Sequence, residues 1–207
     1  MFFQEVELSE RDAQRPSGDA SVRSDAWADP GLLEGVRRRD PDSLERFFDA
    51  AFPYVYNLAY RLTGHREAAE DVAQEVFLKV YRAADRIDTD RSPRPWLTTI
   101  TYNAVRDAAR RTSARPEDAT DPVVIGERQP GGATPEDELR QSEASALIER
   151  ALLSLDENQR AVVILHEYCG VSHADIAGMM EASHDAVRKR YSRALGQMRE
   201  FIEGLEQ

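Results

Sequence analysis

The sequence contains a single cysteine, Cys169, in 207 residues. One cysteine excludes an internal disulfide and is typical of a protein that works in a reducing compartment. Its apolar runs all fall well short of the roughly 20 residues needed to span a bilayer. The opening segment MFFQEVELSERD carries acidic residues where an export signal needs a basic start and a long apolar stretch. We therefore expect a cytoplasmic protein without a membrane segment.

Basic residues are also in short supply, because 27 Lys and Arg face 38 Asp and Glu, a net charge of −11. Phosphate contact normally needs a basic surface, so this balance argues against a protein that binds nucleic acid unaided. Two segments depart from the overall balance. Residues 91–115 hold six arginines against Asp107 alone, and residues 183–199 hold five basic residues against Asp185 alone. Each patch is either a solvated helix face or a nucleic-acid contact.

Motifs for catalysis are missing as well. The sequence lacks a Gly-rich phosphate loop, a recognisable Ser, His and Asp grouping, and a carboxylate pair in an apolar setting. His166, Cys169 and His173 are spaced like metal ligands, but Gly170 and Ser172 predict a helix end and a new cap between them. We expect a helix-end cysteine with two surface histidines. We therefore predict no metal site, no cofactor and no enzymatic activity.

Apolar residues repeat at three- and four-residue steps along most of the chain, which is the pattern of amphipathic helices. Residues 1–30 lack this pattern and mix Ser, Asp, Arg, Gly and Pro, so we expect a disordered tail there. Residues 31–112 predict a compact helical domain, in which Pro53 should bend or break the first helix. Its three helices are expected over Leu44 to Gly64, about Arg66 to Ala84, and Pro95 to about Arg111.

Residues 113–142 are acidic and interrupted by prolines and glycines, so we expect a flexible linker. Helical periodicity resumes in residues 143–207. There Ser172 stands three residues before Asp175, the capping pattern that opens a short helix, and Ser183 caps a longer basic helix. This arrangement describes a helix-turn-helix. The expected fold is all-α, with two small helical domains joined by an acidic flexible linker.

Three polar faces remain outside the predicted core. The second helix carries a stripe that is either solvated or a docking surface for a partner helix: Asp71, Gln74, Glu75 and Leu78. The third helix combines an aromatic ring, an amide and arginines, as in single-stranded DNA binding, unless its tryptophan belongs to the core: Trp96, Asn103, Arg106, Arg110 and Arg111. The last helix carries side chains suited to the major groove and its phosphates: His184, Asp185, Arg188, Lys189, Ser192 and Arg193.

Three segments together resemble the extracytoplasmic-function sigma factors. AAEDVAQEVFLKVYRAADRI is similar to the polymerase-binding helix of that family, and PWLTTITYNAVRDAARR to its promoter-melting and −10-reading helix. The segment from LDENQRAVV to RALGQMRE resembles its −35-reading domain. The resemblance covers about residues 40–112 and 143–203. It implies a sigma factor that binds core RNA polymerase, directs initiation at specific promoters, and has an anti-sigma factor as a further partner.

The resemblance also implies roles for individual residues. The α-helical stripe at Asp71, Gln74 and Glu75 would meet the clamp-helix coiled coil of the polymerase large subunit. Asn103 and its neighbours would engage the non-template strand of the −10 element. The −35 element would be engaged by Arg188, Lys189 and Arg193.

Two departures from the family pattern bear on the promoter sequence and not on the class. Thr99 and Thr101 stand where the family often has an arginine and an alanine in the melting helix. Asp185 and Ala186 replace the glycine–threonine pair that usually precedes the valine of the recognition helix.

The main rival interpretation is a helix-turn-helix regulator that binds operator DNA without polymerase. Such a protein would need a ligand pocket or a phosphoacceptor βα pattern, and the sequence shows neither. A helical adaptor protein is a second rival, which leaves both basic patches unexplained. The linker is compatible with the sigma interpretation, because about 30 residues stretch to roughly 100 Å, whereas two elements about 17 base pairs apart are separated by roughly 58 Å.

Overall fold

Every regular element that the structure describes is helical, which confirms the all-α expectation. The structure is a computed structural model and describes residues 26–113 and 135–205. Its α-helices are α1 (Pro30–Arg37), α2 (Pro41–Thr63), α3 (Arg66–Arg82), α4 (Arg94–Ser113), α5 (Pro135–Leu153), α6 (Glu157–Val163), α7 (His173–Met180) and α8 (His184–Glu203). Short 3₁₀ turns occur at Ala26–Ala28 and Ala84–Arg86, and a π-helical turn at Ile164–Tyr168. None of these described helices has the length and apolarity to cross a membrane.

The long helix α2 is the centre of the first helical group. Asp40 caps it by accepting a hydrogen bond from the Ser43 backbone N–H at 2.9 Å. Gly64 ends it at a φ of +75°, a left-handed backbone conformation that glycine adopts without steric cost. Helices α3 and α4 pack on its apolar side. Among the fully buried side chains of this core are Phe47, Val55, Leu58, Val72, Val76 and Leu97.

Pro53 does not break α2, so of the two outcomes expected from the sequence, a bend or a break, the break does not occur. The helix runs without interruption from Pro41 to Thr63 with Pro53 inside it. Pro53 and Asp49, whose carbonyl loses its helical hydrogen-bond donor to the proline, are both exposed. Water can therefore satisfy that carbonyl, and the proline is accommodated on the solvent side.

Trp27 belongs to the first core, which corrects the expectation of a disordered tail over residues 1–30. Its side chain is only 4% exposed, and its ring centroid lies 6.3 Å from that of Phe47 and 5.7 Å from that of Tyr54. Burial of a large apolar side chain is worth about 2–3 kcal/mol, enough to fix the short segment that carries it. The rest of the expected tail, residues 1–25, lies outside the described residues.

The second helical group contains the predicted helix-turn-helix. Ser172 caps α7 by accepting from the Asp175 backbone N–H at 3.1 Å, and Ser183 caps α8 by accepting from the Ala186 backbone N–H at 3.2 Å. Residues 181–183 form the turn between the two helices. Both caps are those that the sequence predicted, and they orient α8 as the recognition helix of this motif.

The expectation of two surface histidines beside Cys169 is wrong for His173. That side chain is only 9% exposed, and its ring stacks on His166 with a centroid separation of 4.1 Å. Tyr191 of α8 packs against both rings at 5.0–5.1 Å. The histidines therefore join the π-helical turn, α7 and α8. Among the described residues no cluster of His, Cys, Asp and Glu could hold a metal ion.

The predicted linker over residues 113–142 is partly helical. Helix α4 extends to Ser113, and α5 begins at Pro135. The sequence of the start of α5, a proline followed by acidic residues 136–138, is typical of a helix start, because proline is tolerated at the first helical position and acidic residues stabilise the N-terminal end of a helix dipole. The remaining linker, residues 114–134, lies outside the described residues.

Candidate protein and nucleic-acid interfaces

The predicted stripe on α3 lies at the surface. Asp71 and Gln74 are exposed, and the Leu78 side chain is 56% exposed. Val72 and Val76, on the other side of the same helix, are buried. The stripe thus presents an apolar residue among polar ones, a composition suited to the contact surface of a protein partner.

Glu75 differs from the other members of the stripe, because it is engaged within the protein. Its carboxylate lies 2.8 Å from Lys79 Nζ and 2.7 Å from Arg111 Nη2. The hydrogen bond from Lys79 and then that from Arg111 lower the pKa of Glu75 below its ordinary value. Lys79 also lies 3.7 Å from Asp107. These charged groups tie the middle of α3 to the end of α4.

Two buried threonines help to position α4. The Thr98 hydroxyl lies 2.6 Å from the Tyr54 hydroxyl and donates to the Arg94 carbonyl at 2.8 Å. The Thr101 hydroxyl donates to the Leu97 carbonyl at 2.7 Å. Because each hydroxyl finds a carbonyl one turn earlier, both threonines are buried without losing a hydrogen bond. The threonine at position 101, one of the two departures from the family pattern, is therefore satisfied within its own helix.

Arg94, at the start of α4, is stacked between helices. Its guanidinium lies 4.4 Å from the ring centroid of Tyr54 and 5.5 Å from that of Trp27. Contacts of a cation with aromatic faces are worth about 0.5–2 kcal/mol each. This arginine of the basic patch is thus part of the packing that holds α4 on α2.

Four of the five predicted DNA-contacting residues of α4, all but Arg106, fall into two groups. Asn103, Arg110 and Arg111 are exposed, whereas Trp96 is half-buried and packs against the core. Arg110 forms an ion pair with Asp107 on its own helix. The exposed group forms a polar face on α4 that continues from the middle of the helix to its end.

Tyr102 lies near this face but does not belong to it. Its side chain is 6% exposed, and burial raises the pKa of its hydroxyl. Arg106 and Arg190 oppose that shift, and Glu181 reinforces it, so these charges lie close to the ring. Tyr102 therefore marks the place where α4 meets the helix-turn-helix.

The recognition helix α8 presents all of its predicted DNA-contacting residues to solvent. Val187, Ala194 and Met198 are buried on its other face. Lys189 pairs with Asp185 at 2.8 Å, and this hydrogen bond lowers the pKa of Asp185. The exposed predicted residues are His184, Asp185, Arg188, Lys189, Ser192 and Arg193.

Arg106 has a partner that the sequence did not predict. Its Nη2 donates to Glu181 Oε1 at 2.8 Å, and its Nη1 lies 3.4 Å from the Met179 carbonyl oxygen. Glu181 is the first residue of the turn in the helix-turn-helix and has a φ of +53°. A contact between residues 75 positions apart leaves no local signal in a sequence.

Family models match both helical groups. The model for Sigma-70 region 2 matches residues 47–115, and that for Sigma-70 region 4 matches residues 145–198. The SigL sigma factor of Mycobacterium tuberculosis, described as an ECF RNA polymerase sigma factor, is 31% identical over 84% of this chain and 96% of its own length. The chain belongs to the ECF sigma factors of RNA polymerase. As a member of this family, it is a promoter-recognition subunit that acts with core polymerase.

Two further comparisons agree with this membership. SigW of Bacillus subtilis, also an ECF RNA polymerase sigma factor, is 27% identical over 84% of this chain and 96% of its own length. The sigma factor RpoE of Bartonella quintana, solved in complex with the anti-sigma factor NepR, matches with a TM-score of 0.55 and 23% identity. That match covers 77% of this chain and 96% of the other and shows that the two share a fold.

Proposed function

We propose that this ECF sigma factor divides its work between three surfaces: the α3 stripe binds core polymerase, α4 captures the melted −10 strand, and α8 reads the −35 element. The observation that carries the assignment is the exposure of these three polar faces on helices whose other sides are buried. The first helical group then acts as the region 2-like domain and the second as the region 4-like domain.

The polymerase contact centres on Asp71, Gln74 and Leu78. Their exposure and the apolar character of Leu78 support this assignment. Glu75 contributes less directly, because its carboxylate already accepts hydrogen bonds from Lys79 and Arg111. Its main part in this interface is to hold α3 against α4 while the neighbouring side chains contact the polymerase.

The −10 contact combines Asn103 with Arg106, Arg110, Arg111 and the accessible part of Trp96. Single-stranded DNA is bound by amides and aromatic faces that receive unstacked bases and by cations that follow the phosphates. The exposed polar face of α4 supplies the amide and the cations.

The −35 contact divides into base-reading and phosphate-binding residues. Arg188 is exposed early in α8, where a recognition helix enters the major groove. Lys189 follows Arg188 in the chain and is oriented by its ion pair with Asp185. Ser192 and Arg193 lie further along the helix. The net charge of −11 fits a factor that draws much of its DNA affinity from the polymerase.

The proposal also covers the cellular compartment and the regulatory partner. A sigma factor works where polymerase and chromosome are, so we place this chain in the cytoplasm and assign it no catalytic step of its own. An anti-sigma factor is the expected regulator, since RpoE of Bartonella quintana was solved with one.

Run-off transcription with purified core polymerase tests the function directly. Adding this protein should create defined start sites on genomic DNA fragments that core polymerase alone does not use. The rival regulator predicts no new start sites and tight operator binding by the protein alone. That pair of results would overturn the proposal.

A further inference from the structure

Three of the four histidines of the chain lie together beside the recognition helix. They are His166 in the π-helical turn, His173 at the start of α7 and His184 at the start of α8. The His166 and His173 rings stack with an interplanar angle of 20° and a centroid separation of 4.1 Å. The His184 ring lies 6.4 Å from that of His173. The functions proposed above use neither ring of the stacked pair.

Tyr191 joins the stacked pair to the recognition helix. Its ring centroid lies 5.1 Å from that of His166 and 5.0 Å from that of His173. Its hydroxyl donates a hydrogen bond to the Glu167 carboxylate in the π-helical turn. Tyr191 stands three residues after Arg188, so the two side chains lie within about one helical turn of each other. The position of this ring therefore affects the position of the DNA-reading side chains.

Three features of the structure disfavour a positive charge on His173. The residue is only 9% exposed, so a charged ring would lose most of its contact with water. It is the first residue of α7, where the helix dipole is positive. Its ring neighbours in the stack and at the start of α8 are themselves imidazoles. The site is therefore suited to a neutral ring.

The surroundings of His166 are different, because oxygen atoms lie near both of its ring nitrogens. Nδ1 lies 2.9 Å from the Val171 carbonyl oxygen, and Nε2 lies 3.9 Å from Glu167 Oε1. A protonated imidazole carries an N–H on each nitrogen and suits this arrangement. A second proton, on His173, would place two positive charges about 4.1 Å apart. The pair therefore accommodates one proton and not two.

The elements packed around the pair contribute further titratable or charged groups: Glu167, Tyr168 and Cys169 at the π-helical turn, Asp175 on α7, His184, Arg188 and Tyr191 on α8, Arg160 on α6, and Arg61 on α2. Three arginines in this set face two carboxylates. Asp175 is engaged by the cap of α7, because it accepts a hydrogen bond from the Ser172 hydroxyl at 2.6 Å. Glu167 can therefore balance one protonated ring, and a second would add to a positive surrounding.

We propose that His166, His173 and Tyr191 form a pH-sensitive support for the recognition helix. With at most one proton on the histidine pair, the rings stay stacked and Tyr191 holds α8 in position. When acidification adds a second proton, the stack separates, α8 loses this support, and reading of the −35 element weakens. The inference rests on the proposed −35 role of α8, whereas the proton balance rests on the contacts alone.

The size of the effect follows from proton linkage. Unfolding exposes both rings to water, where an imidazole titrates near pH 6.5. If the folded pair holds one proton fewer than the unfolded chain, the equilibrium constant for unfolding rises about tenfold from pH 7.5 to pH 5.5. The stability that depends on a neutral His173 is thus complete above about pH 6.5 and is lost as the pH falls below that value.

The test compares His173→Phe with His65→Phe in the full-length chain. Phenylalanine keeps a ring in the stack but takes no proton, and His65 is the fourth histidine, exposed before the start of α3. Urea unfolding followed by circular dichroism gives the equilibrium constant for unfolding. From pH 7.5 to pH 5.5, this constant for the wild type should rise about tenfold relative to that of His173→Phe. Relative to that of His65→Phe it should change by less than about twofold.

A constant ratio between the wild type and His173→Phe would overturn the proposal. A second measurement needs no variant. In an NMR titration of the imidazole nitrogens of the wild type, one ring of the stacked pair should take a proton and the other should stay neutral down to pH 5.5. Independent protonation of both rings in the folded chain would also overturn the proposal.

Transcription with core polymerase separates the inference from the proposed function. If about half of the molecules lose the support at pH 6.0, the preference of the wild type for an intact over a mutated −35 element falls about twofold from its value at pH 7.5. The preference of His173→Phe should stay constant. An equal fall in both proteins would overturn the effect on promoter reading. If Arg188→Ala and Arg193→Ala leave the −35 preference unchanged, the proposed function of α8 fails, and the urea result still measures the proton balance.

Discussion

Arg111 of α4 donates a hydrogen bond to Glu75 of α3 across 2.7 Å, so a residue proposed for promoter DNA is ion-paired with one proposed for polymerase. The Glu75 side chain is only 27% exposed, whereas that of Arg111 is 65% exposed. The Glu75 carboxylate is therefore mostly covered by the protein, whereas most of the Arg111 side chain is accessible to a DNA phosphate. The two proposed interfaces adjoin at this pair.

Polymerase binding should depend on the exposed part of the α3 stripe. We expect Asp71→Arg combined with Leu78→Asp to abolish co-purification with core polymerase, because the change replaces an acid and an apolar contact on one face. Circular dichroism should stay helical, since both side chains point away from the core. Glu70→Arg is the matched control: it reverses a charge one residue away, outside the stripe, and should bind normally. A folded double variant that still co-purifies would refute the assignment.

The Glu75 pairs should stabilise the fold in a pH-dependent way. Glu75→Gln should lower the free energy of unfolding by about 1 kcal/mol at pH 7, the upper range for ion pairs near the surface. Because the pKa of Glu75 is lowered in the folded state, this contribution is complete above the ordinary glutamate pKa of about 4.3 and is lost as the pH falls through the lower folded value.

Urea unfolding followed by circular dichroism checks this sign. The difference in the free energy of unfolding between the wild type and Glu75→Gln should be constant from pH 6 to 8 and shrink well below pH 4. Glu70→Gln loses only an exposed ion pair with Arg66 at 3.5 Å, so its free energy of unfolding should differ less from that of the wild type at every pH. If the difference between the wild type and Glu75→Gln instead increased on acidification, the stabilising role of the Glu75 carboxylate would be contradicted.

Strand capture should depend on Asn103. Asn103→Ala should leave polymerase binding and closed-complex formation intact, because its exposed amide contributes nothing to the core of α4. Permanganate reactivity of promoter thymines should drop, since fewer unstacked bases are held on the helix. Undiminished reactivity across several promoters would show that Asn103 is not a capture residue.

The recognition helix should separate base reading from phosphate binding. Arg188→Ala should reduce transcription unequally from promoters that differ at one −35 position, because a bidentate base contact is worth about 1–3 kcal/mol of discrimination. Arg193→Ala should weaken all of these promoters alike and reduce the salt dependence of binding. Competitive transcription from paired promoters at two salt concentrations distinguishes the two patterns. If Arg188→Ala, like Arg193→Ala, reduced transcription equally from all of these promoters, the base-reading role of Arg188 would be refuted.

Sequence alone determined the features of this protein that depend on neighbouring residues. The apolar repeats gave the helices, and Ser172 and Ser183 gave the starts of α7 and α8, because periodicity and capping act within a few residues. The three polar faces followed from the same periodicity. A break at Pro53, one of the two outcomes expected there, does not occur, because the proline lies on the side of α2 that faces water, which the sequence did not show.

Tertiary structure alone decided which of the candidate side chains are free to act. Glu75 is paired with Arg111, 36 residues away, and Arg106 with Glu181, 75 residues away. Trp27 is buried outside the span of the matched family models, and His173 stacks on His166 instead of lying at the surface. Each of these outcomes depends on how separate helices pack, and the strength of an ion pair or an aromatic contact is fixed by distance and burial in space and not by separation along the chain.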